Sequence, residues 1–347
     1  MISLDDRQRV AASQLTLPAM GLGCGTLGDP DLVISEHQAQ QTLETAWNGG
    51  LRYFDTAPWY GNTKSEHRVG FFLRQKPRQD FVVTTKVGRV YRRPKQPESF
   101  ESSPWMARWR GGLPFDLRFD YTRDGILRSY EDSLMRLGLN SVDALAIHDL
   151  DFKHHKNEEN VLKALDDLSR HGGYQALRDL KDRGEIKAIG VGINHTGMIR
   201  LFLDRFDIDY FLVAMPYTLL DQTALDEDFS LCAERGASVV IGAVYASGIL
   251  ATGAGGYASY AYQEAPPDVL DRVQRIETIC ARYDVLLRSA AMQFPLAHPI
   301  VASVIPGANS GDQVRQNIDA LSQPIPPKFW SELRERELIR SGAPIPL

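Results

Sequence analysis

Short apolar runs alternate with amphipathic stretches along the chain. In most of these runs the apolar residues are consecutive rather than at every second position, as expected of strands that are buried on both faces. There are eight such runs, at residues 19–26, 52–57, 81–88, 142–149, 186–193, 210–217, 238–245 and 300–307. Because a buried parallel strand is normally followed by a helix that returns the chain, the pattern predicts repeated β-then-α units.

The stretches between these runs carry helical patterns. Apolar residues recur at helical spacing in residues 36–48, 122–137, 160–182 and 266–284, and two shorter helices are expected near Asp204 and across 226–234. The helix at 122–137 is expected to begin at Thr122 and to stop at Gly138, because glycine commonly follows the last helical residue.

Eight β-then-α units are the number that closes a parallel barrel. The sequence therefore predicts the α/β class and a single-domain (β/α)8 TIM barrel over residues 1–347, with a doubly wound sheet as the alternative. Two long connections, at 89–121 and 246–265, follow predicted strands, so we expect both on the catalytic face. Residues 322–347 are expected to form a C-terminal tail.

Composition excludes several classes of function. The chain of 347 residues is 43% hydrophobic and carries a formal net charge of −5, which argues against a nucleic-acid binder. One local basic cluster is interpreted as a solvated loop; it consists of Arg89, Arg92, Arg93 and Lys95. Three widely separated cysteines predict free thiols in a reducing compartment. With no secretory signal and no apolar stretch of about 18 residues, we expect a cytoplasmic protein without membrane partners. The sequence does not indicate the oligomeric state.

Residues 23–28 match the GxGxxG pattern of dinucleotide-binding folds. In such a fold a helix begins at this point, whereas here Asp29 and Pro30 follow and the next periodic helix starts later. We therefore interpret the match as a glycine-rich strand end and turn.

Four polar residues stand at the ends of consecutive predicted strands. Asp55 ends the second strand and Tyr60 lies in the loop after it, while Lys86 and His148 end the third and fourth strands. Each alone has an ordinary explanation as a turn cap, a strand-end charge or a core histidine. Because the C-terminal ends of barrel strands converge on one site, together they indicate an acid–base apparatus.

The chemistry of these four groups is coherent. A lysine beside a tyrosine lowers the pKa of the phenol toward neutrality, and an aspartate keeps the lysine charged. Tyr60 is then the predicted general acid/base, and His148 is predicted to hydrogen-bond the substrate oxygen. Neither a metal nor a nucleophile–base pair is required. The set suits a hydride transfer, for which a nicotinamide cofactor carries the hydride.

Over nearly its whole length the sequence resembles the aldo-keto reductase superfamily. The similarity is carried by FDTAPWYG, TTKVG, SLMRLGLNSVDALAIHD and IPGA. The resemblance implies a catalytic tetrad of Asp55, Tyr60, Lys86 and His148, with NAD(P) extended over the C-terminal face of the barrel and no Rossmann fold. RWRGGLPFDLRFDYTRDGILRSYEDSL at 108–134, HDLD at 148–151 and SGIL at 247–250 resemble the branch that oxidises cyclic hemiacetals, such as those of L-fucose and pyridoxal, to lactones with NAD.

The resemblance also implies cofactor contacts. Asn194 is expected to hold the carboxamide, although the serine usual before it is missing, and Tyr245 to stack on the nicotinamide. Ser310 opens a helix whose N–H groups can bind a phosphate. The complete predicted set is Gly25, Thr26, Asn194, Tyr245, Gly307, Ala308, Ser310, Gln313 and Asn317.

The same region bears on the choice between NAD and NADP. Members that prefer NADP have Lys-Ser and an arginine where this chain has Gly307, Ala308 and Gln313. A 2′-phosphate needs cationic partners, so their replacement favours NAD. Arg315 lies close by in the sequence and keeps NADP open.

The first hypothesis is an NAD-dependent dehydrogenase that oxidises an aldose of the L-fucose or D-threo type at C1 to the lactone. Tyr60 would accept the hemiacetal proton. Trp59, Trp105 and Trp109 are candidates to line the sugar pocket, with packing of a lid as the alternative. The competing functions are oxidation of pyridoxal, an NADPH-dependent aldehyde reductase and a redox-sensing nucleotide-binding module, of which the intact tetrad disfavours the last.

Overall fold

The computed structural model describes residues 2–11, 13–96, 109–256, 259–261 and 263–346. Eight parallel strands pair in sequence order. They are Leu22–Gly23, Tyr53–Asp55, Val82–Val87, Ala144–His148, Ala188–Ile193, Tyr210–Val213, Ser238–Ile241 and Val301–Val304. Parallel bridges from Met20 to Val304 and from Gly23 to Gly307 join the first strand to the eighth. The sheet therefore closes, and the predicted (β/α)8 barrel is confirmed.

Helices surround the barrel. They are Glu36–Asn48, Lys64–Leu73, Arg123–Leu137, Phe152–His155, Glu158–Arg170, Gly173–Asp182, Met198–Leu203, Asp228–Arg235, Ile249–Thr252, Pro267–Arg282, Leu287–Gln293, Gly311–Ser322 and Pro327–Glu335. Thr122 caps the helix that follows it, accepting a hydrogen bond from the Gly125 N–H, and that helix ends at Gly138 as predicted. Among the described helices, none combines the length and apolarity that crossing a membrane requires.

One predicted helix is in fact two. The periodic stretch 160–182 is broken between Arg170 and Gly173, where Gly172 adopts a φ of 76°. A Cβ at Gly173 would lie 1.9 Å from the carbonyl oxygen of Tyr121, so the chain needs glycine at this approach. The hydrophobic period continues across the break, which is why the sequence pattern did not reveal it.

The N-terminal end of the barrel is closed by a hairpin. Arg7–Arg9 pairs antiparallel with Thr16–Pro18. Val10, Leu15 and Leu17 at its tip are buried in one apolar cluster with residues of the barrel interior. Ligand access is therefore left to the opposite end, where the strands terminate.

The GxGxxG match belongs to that open end and is not a dinucleotide-binding turn. Residues Cys24–Gly28 form a short 3-10 helix after the first strand, and the next α-helix begins only at Glu36. The interpretation as a strand end and turn is confirmed.

The two long connections contain regular structure of their own. In the first, Arg89–Arg92 pairs antiparallel with Asp116–Phe119. In the second, a 3-10 turn at Ala246–Gly248 and the helix Ile249–Thr252 lead to a two-residue ladder between Ser259–Tyr260 and Gln263–Glu264. The predicted tail carries the helix Pro327–Glu335, whose Phe329, Trp330 and Leu333 are buried.

Candidate active site

The four strand-end residues meet in one cavity. Asp55 and His148 are the last residues of the second and fourth strands, and Lys86 is the penultimate residue of the third. Tyr60 follows in the turn after the second strand. The cavity has a volume of about 600 Å³, and all four side chains line it. This volume is in the range of small-molecule and cofactor sites.

Asp55 and Lys86 form a buried ion pair beneath the cavity. Lys86 Nζ donates to Asp55 Oδ1 at 2.5 Å and to the carbonyl oxygen of Thr56 at 2.9 Å. Thr84 Oγ1 donates to the second carboxylate oxygen at 2.7 Å. Burial lowers the pKa of Lys86, but the neighbouring Asp55 and Tyr60 outweigh it, so the pKa lies above its usual value. The Lys86 ammonium group is therefore kept charged although it is buried, as the sequence predicted.

Tyr60 lies directly over this pair. Lys86 Nζ is 4.6 Å from the centroid of the Tyr60 ring, and the ring of His148 stands edge-on to it at 5.9 Å. Burial is the largest influence on the phenol and raises its pKa to about 12, although Lys86 lowers it. The expectation of a Tyr60 pKa near neutrality is therefore wrong for this arrangement, because desolvation outweighs the lysine charge.

His148 is a neutral imidazole in this environment. Burial lowers the pKa of His148 well below its usual range; Asp149 raises it, and Arg89 and Lys86 lower it further. The side chain of Arg89 contacts the ring, with Nη1 at 3.0 Å from His148 Nδ1. A neutral imidazole has one N–H, so it can donate one hydrogen bond to a substrate oxygen.

Arg89 belongs to the site, contrary to the expectation of a solvated basic loop. Its side chain is only 2% exposed and pairs with Asp149 at 2.8 Å. Its guanidinium also lies 4.3 Å from the centroid of the Trp59 ring. The available signal was its position, since Arg89 follows the third strand by two residues and shares the barrel edge with Lys86.

Beyond Arg89, a polar network extends from the end of the fourth strand. Asn194 donates through its amide N–H groups to Asp149 at 3.0 Å and to Asp151 at 3.1 Å. His154 Nδ1 lies 2.7 Å from Asp151 Oδ1. Arg89 supplies positive charge to the Asp149 carboxylate. The Asn194 amide N–H groups are therefore committed, and its carbonyl oxygen is the atom left to accept a hydrogen bond from a carboxamide.

The predicted cofactor residues divide into two groups. Gly25, Thr26, Asn194, Tyr245 and Gly307 line the cavity, whereas the other four lie outside its lining. Those four are Ala308, Ser310, Gln313 and Asn317.

Hydrogen bonds join the two groups. The Tyr245 hydroxyl donates to Asn317 Oδ1 at 2.8 Å, and Thr26 Oγ1 donates to the carbonyl of Ala308 at 2.6 Å. Because the buried Ala308 and Asn317 hold residues of the cavity wall, we expect them to shape the site without facing it.

The region expected to contact the adenine end of the cofactor, around Ser310 and Gln313, carries little charge. Ser310 caps the helix Gly311–Ser322, and its hydroxyl accepts from the Gln313 N–H. Gln313 in turn accepts from the Asn309 N–H at 2.9 Å, and Arg315 pairs with Asp312. The cavity is lined by Asn194 and Tyr245 and lies near the N-terminus of the helix Gly311–Ser322. Together these features fit a nicotinamide dinucleotide.

Two of the three candidate tryptophans line the cavity. Trp59 and Trp109 are 7% and 6% exposed, and their rings meet edge-to-face at 5.3 Å. Trp109 also lies 5.8 Å from the Tyr60 ring, so it forms a wall beside the predicted base. Trp105 lies outside the described residues.

Comparisons with known proteins show the family and the fold of the chain. The model of the aldo/keto reductase family matches residues 19–337. A pyridoxal 4-dehydrogenase from Microbacterium luteolum is 39% identical over 97% of this chain and 99% of its own length. A D-threo-aldose 1-dehydrogenase from a Pseudomonas species is 37% identical over 95% and 97%. Among solved structures, an aldo-keto reductase from Bacillus halodurans superposes with a TM-score of 0.71 at 25% identity, covering 97% of each chain.

Proposed function

The chain belongs to the aldo/keto reductase family, and from this premise we propose that it oxidises the hemiacetal carbon of a cyclic substrate to a lactone with NAD. With dehydrogenases among its relatives, it is an oxidoreductase that acts on a CH–OH or aldehyde group. The first candidate substrate is an aldose of the L-fucose or D-threo type, oxidised at C1. The observation that carries the proposal is the buried Asp55–Lys86 pair beneath Tyr60, beside a neutral His148.

The chain's own groups move one proton and hold one oxygen. NAD, when bound, accepts the hydride that leaves C1. Tyr60 in its deprotonated form accepts the proton of the C1 hydroxyl, and the Lys86 ammonium stabilises that phenolate. Asp55 keeps Lys86 charged and in place. His148 donates a hydrogen bond to the substrate oxygen and so fixes C1 for transfer. Burial of the site keeps water from competing for these groups.

Preference for NAD over NADP rests on the missing phosphate partners. Gly307 has no side chain, Ala308 is fully buried and Gln313 is uncharged. The cation beside them, Arg315, is exposed and pairs with the exposed Asp312. A 2′-phosphate carries close to two negative charges and is bound tightly by free arginine or lysine side chains, which these positions do not provide.

Pyridoxal is a second candidate substrate. It is favoured by the relative named pyridoxal 4-dehydrogenase, which is 39% identical over nearly the whole chain. Pyridoxal closes to a cyclic hemiacetal through its hydroxymethyl group, so the same proton transfer and hydride transfer would give a lactone. The aromatic wall of Trp59 and Trp109 suits either an aromatic ring or the C–H face of a sugar.

A substrate panel tests the proposal directly. We would measure the initial rate of nicotinamide reduction with L-fucose, D-arabinose, L-galactose and pyridoxal, each with NAD and with NADP. We expect one hemiacetal to be oxidised faster with NAD, and the lactone to be identified by mass spectrometry. Turnover of pyridoxal alone selects the second candidate. Oxidation of NADPH by simple aldehydes without hemiacetal oxidation would contradict the proposal. No turnover of any substrate, together with tight cofactor binding, would favour a nucleotide-binding module.

The pH dependence of the oxidation rate should reveal the protonation state of the Tyr60 phenol. Because its pKa is raised to about 12, the phenol keeps its proton at neutral pH. Oxidation needs the deprotonated form, whose fraction grows up to about tenfold for each pH unit below the pKa. We therefore expect kcat/KM for oxidation to rise from about pH 7 to about pH 10, while the reverse reaction, reduction of the lactone, which uses the protonated phenol, stays nearly flat. An oxidation rate independent of pH over this range would contradict Tyr60 as base.

A further inference from the structure

Arg89 touches the histidine of the tetrad although it is not a tetrad residue. Gly88 has a φ of 100°, and a Cβ there would lie 2.3 Å from the Tyr121 ring, so the chain turns sharply between the third strand and Arg89. The turn places the guanidinium under the ring of Trp59 and within 3.0 Å of His148 Nδ1. Ser129 Oγ donates to the Arg89 carbonyl at 3.1 Å and fixes the backbone there.

This contact determines which ring nitrogen of His148 carries the proton. A guanidinium has only N–H donors and never accepts a hydrogen bond. His148 Nδ1 must therefore be the acceptor, and the single proton of a neutral imidazole must lie on Nε2. The opposite tautomer would set the Nδ1 proton against an Arg89 N–H.

The charges around His148 would otherwise favour an imidazolium. Asp149 Oδ2 lies 3.3 Å from His148 Nε2, close enough to stabilise the positive charge of a doubly protonated ring. Arg89 holds the same carboxylate oxygen at 2.8 Å and neutralises it. Other titratable or charged groups influence His148 or Asp149 from the neighbouring elements; these are Lys86, Tyr60, Tyr121, Asp151, His154, His155 and His195.

We propose that Arg89 is a positioning residue for the reaction, because it holds His148 as the neutral Nε2–H tautomer and thereby keeps a hydrogen-bond donor for the substrate oxygen. The proposal deepens the proposed function and rests on it for the role of His148. A ring protonated on Nδ1 instead would present a lone pair at Nε2, which repels an oxygen lone pair. Removal of Arg89 would also leave Asp149 uncompensated and draw a proton onto His148.

The tautomer can be measured in the resting protein, without substrate. We would label the histidines with 15N and assign His148 by the signal lost in a His148→Gln variant. In the wild type we expect a protonated Nε2 and an unprotonated Nδ1, unchanged from about pH 5.5 to pH 9. A wild-type signal with the proton on Nδ1, or one that titrates within this range, would overturn the proposal even if no Arg89 variant folds.

Substitutions separate positioning from simple packing. In Arg89→Gln we expect His148 to titrate within this pH range, and kcat/KM to fall by up to about 100-fold with a new acidic limb in its pH profile. Arg89→Lys keeps a charged donor and should retain the wild-type tautomer. The control is Arg92→Gln in the same strand, whose exposed side chain pairs with Asp116 and should change neither measurement. A folded Arg89→Gln variant with the wild-type His148 spectrum and pH profile would refute the assignment.

Failure of this inference is distinguishable from failure of the proposed function. The spectrum of His148 reports the Arg89 contact whether or not any hemiacetal is oxidised. If no sugar and no pyridoxal is turned over while His148 is the fixed Nε2–H tautomer, the proposed function fails and the Arg89 contact stands. If a substrate is oxidised and the tautomer is unaffected by Arg89→Gln, the Arg89 inference alone fails.

Discussion

Tyr60→Phe is expected to lower kcat for hemiacetal oxidation by about 10²–10⁴-fold, the usual contribution of a general acid or base. The change removes one hydroxyl group and keeps the ring that contacts Lys86, His148 and Trp109. Binding of NAD should be nearly unchanged, since the cavity keeps its shape. The measurement pairs steady-state kcat with a fluorescence titration of cofactor binding.

A matched control for this variant is Tyr217→Phe. Tyr217 is a fully buried tyrosine that packs against Phe229 and Phe294 and does not line the cavity. Its kcat should stay close to that of the wild type. Retention of most of the activity in Tyr60→Phe, or an equal loss in Tyr217→Phe, would contradict the assignment of Tyr60 as the proton acceptor.

Asp55→Asn should destabilise the fold as well as stop the reaction. The substitution is nearly isosteric but leaves the Lys86 ammonium, only 1% exposed, without its counter-charge at 2.5 Å. Breaking one side of a buried ion pair costs about 3–5 kcal/mol of unfolding free energy. Urea denaturation measures this loss, and kcat should fall because Lys86 is no longer held charged beneath Tyr60.

Two further variants test the cause of that loss. Asp116→Asn removes the carboxylate of an exposed pair with Arg92 and should cost less than about 1 kcal/mol. The double variant Asp55→Asn/Lys86→Met removes both buried charges, so it should recover much of the stability without recovering activity. A stable, active Asp55→Asn protein would show that the pair has neither role.

The barrel and its candidate tetrad could be predicted from the sequence because both depend on local order. Consecutive apolar residues identify buried parallel strands, and the residue at the end of each strand is readable from the chain. Asp55, Lys86 and His148 all stand at or next to such an end, and the structure brings their side chains into one cavity with Tyr60.

Other features depended on contacts between distant parts of the chain. The break at Gly172 follows from the approach of Gly173 to Tyr121, about 50 residues earlier, which no periodicity records. The position of Arg89 inside the site follows from the turn at Gly88 and from the carboxylate of Asp149, which is 60 residues away in sequence. From sequence alone, a cluster of basic residues is expected to be solvated, because the buried carboxylate that pairs with one of them is distant in the chain.

The amino-acid sequence by itself determined the fold class, the family and which four side chains meet at the strand ends, since hydrophobic pattern and strand order are properties of the linear chain. Only the tertiary structure decided the protonation of the site. Burial raises the pKa of Tyr60 to about 12 against the effect of Lys86, and burial, assisted by Arg89 and Lys86, lowers the pKa of His148 so that the ring stays neutral. The free energy of a charged group depends on how much water the whole fold removes from it and on which partners lie within a few ångströms. Neither quantity can be deduced from the local sequence.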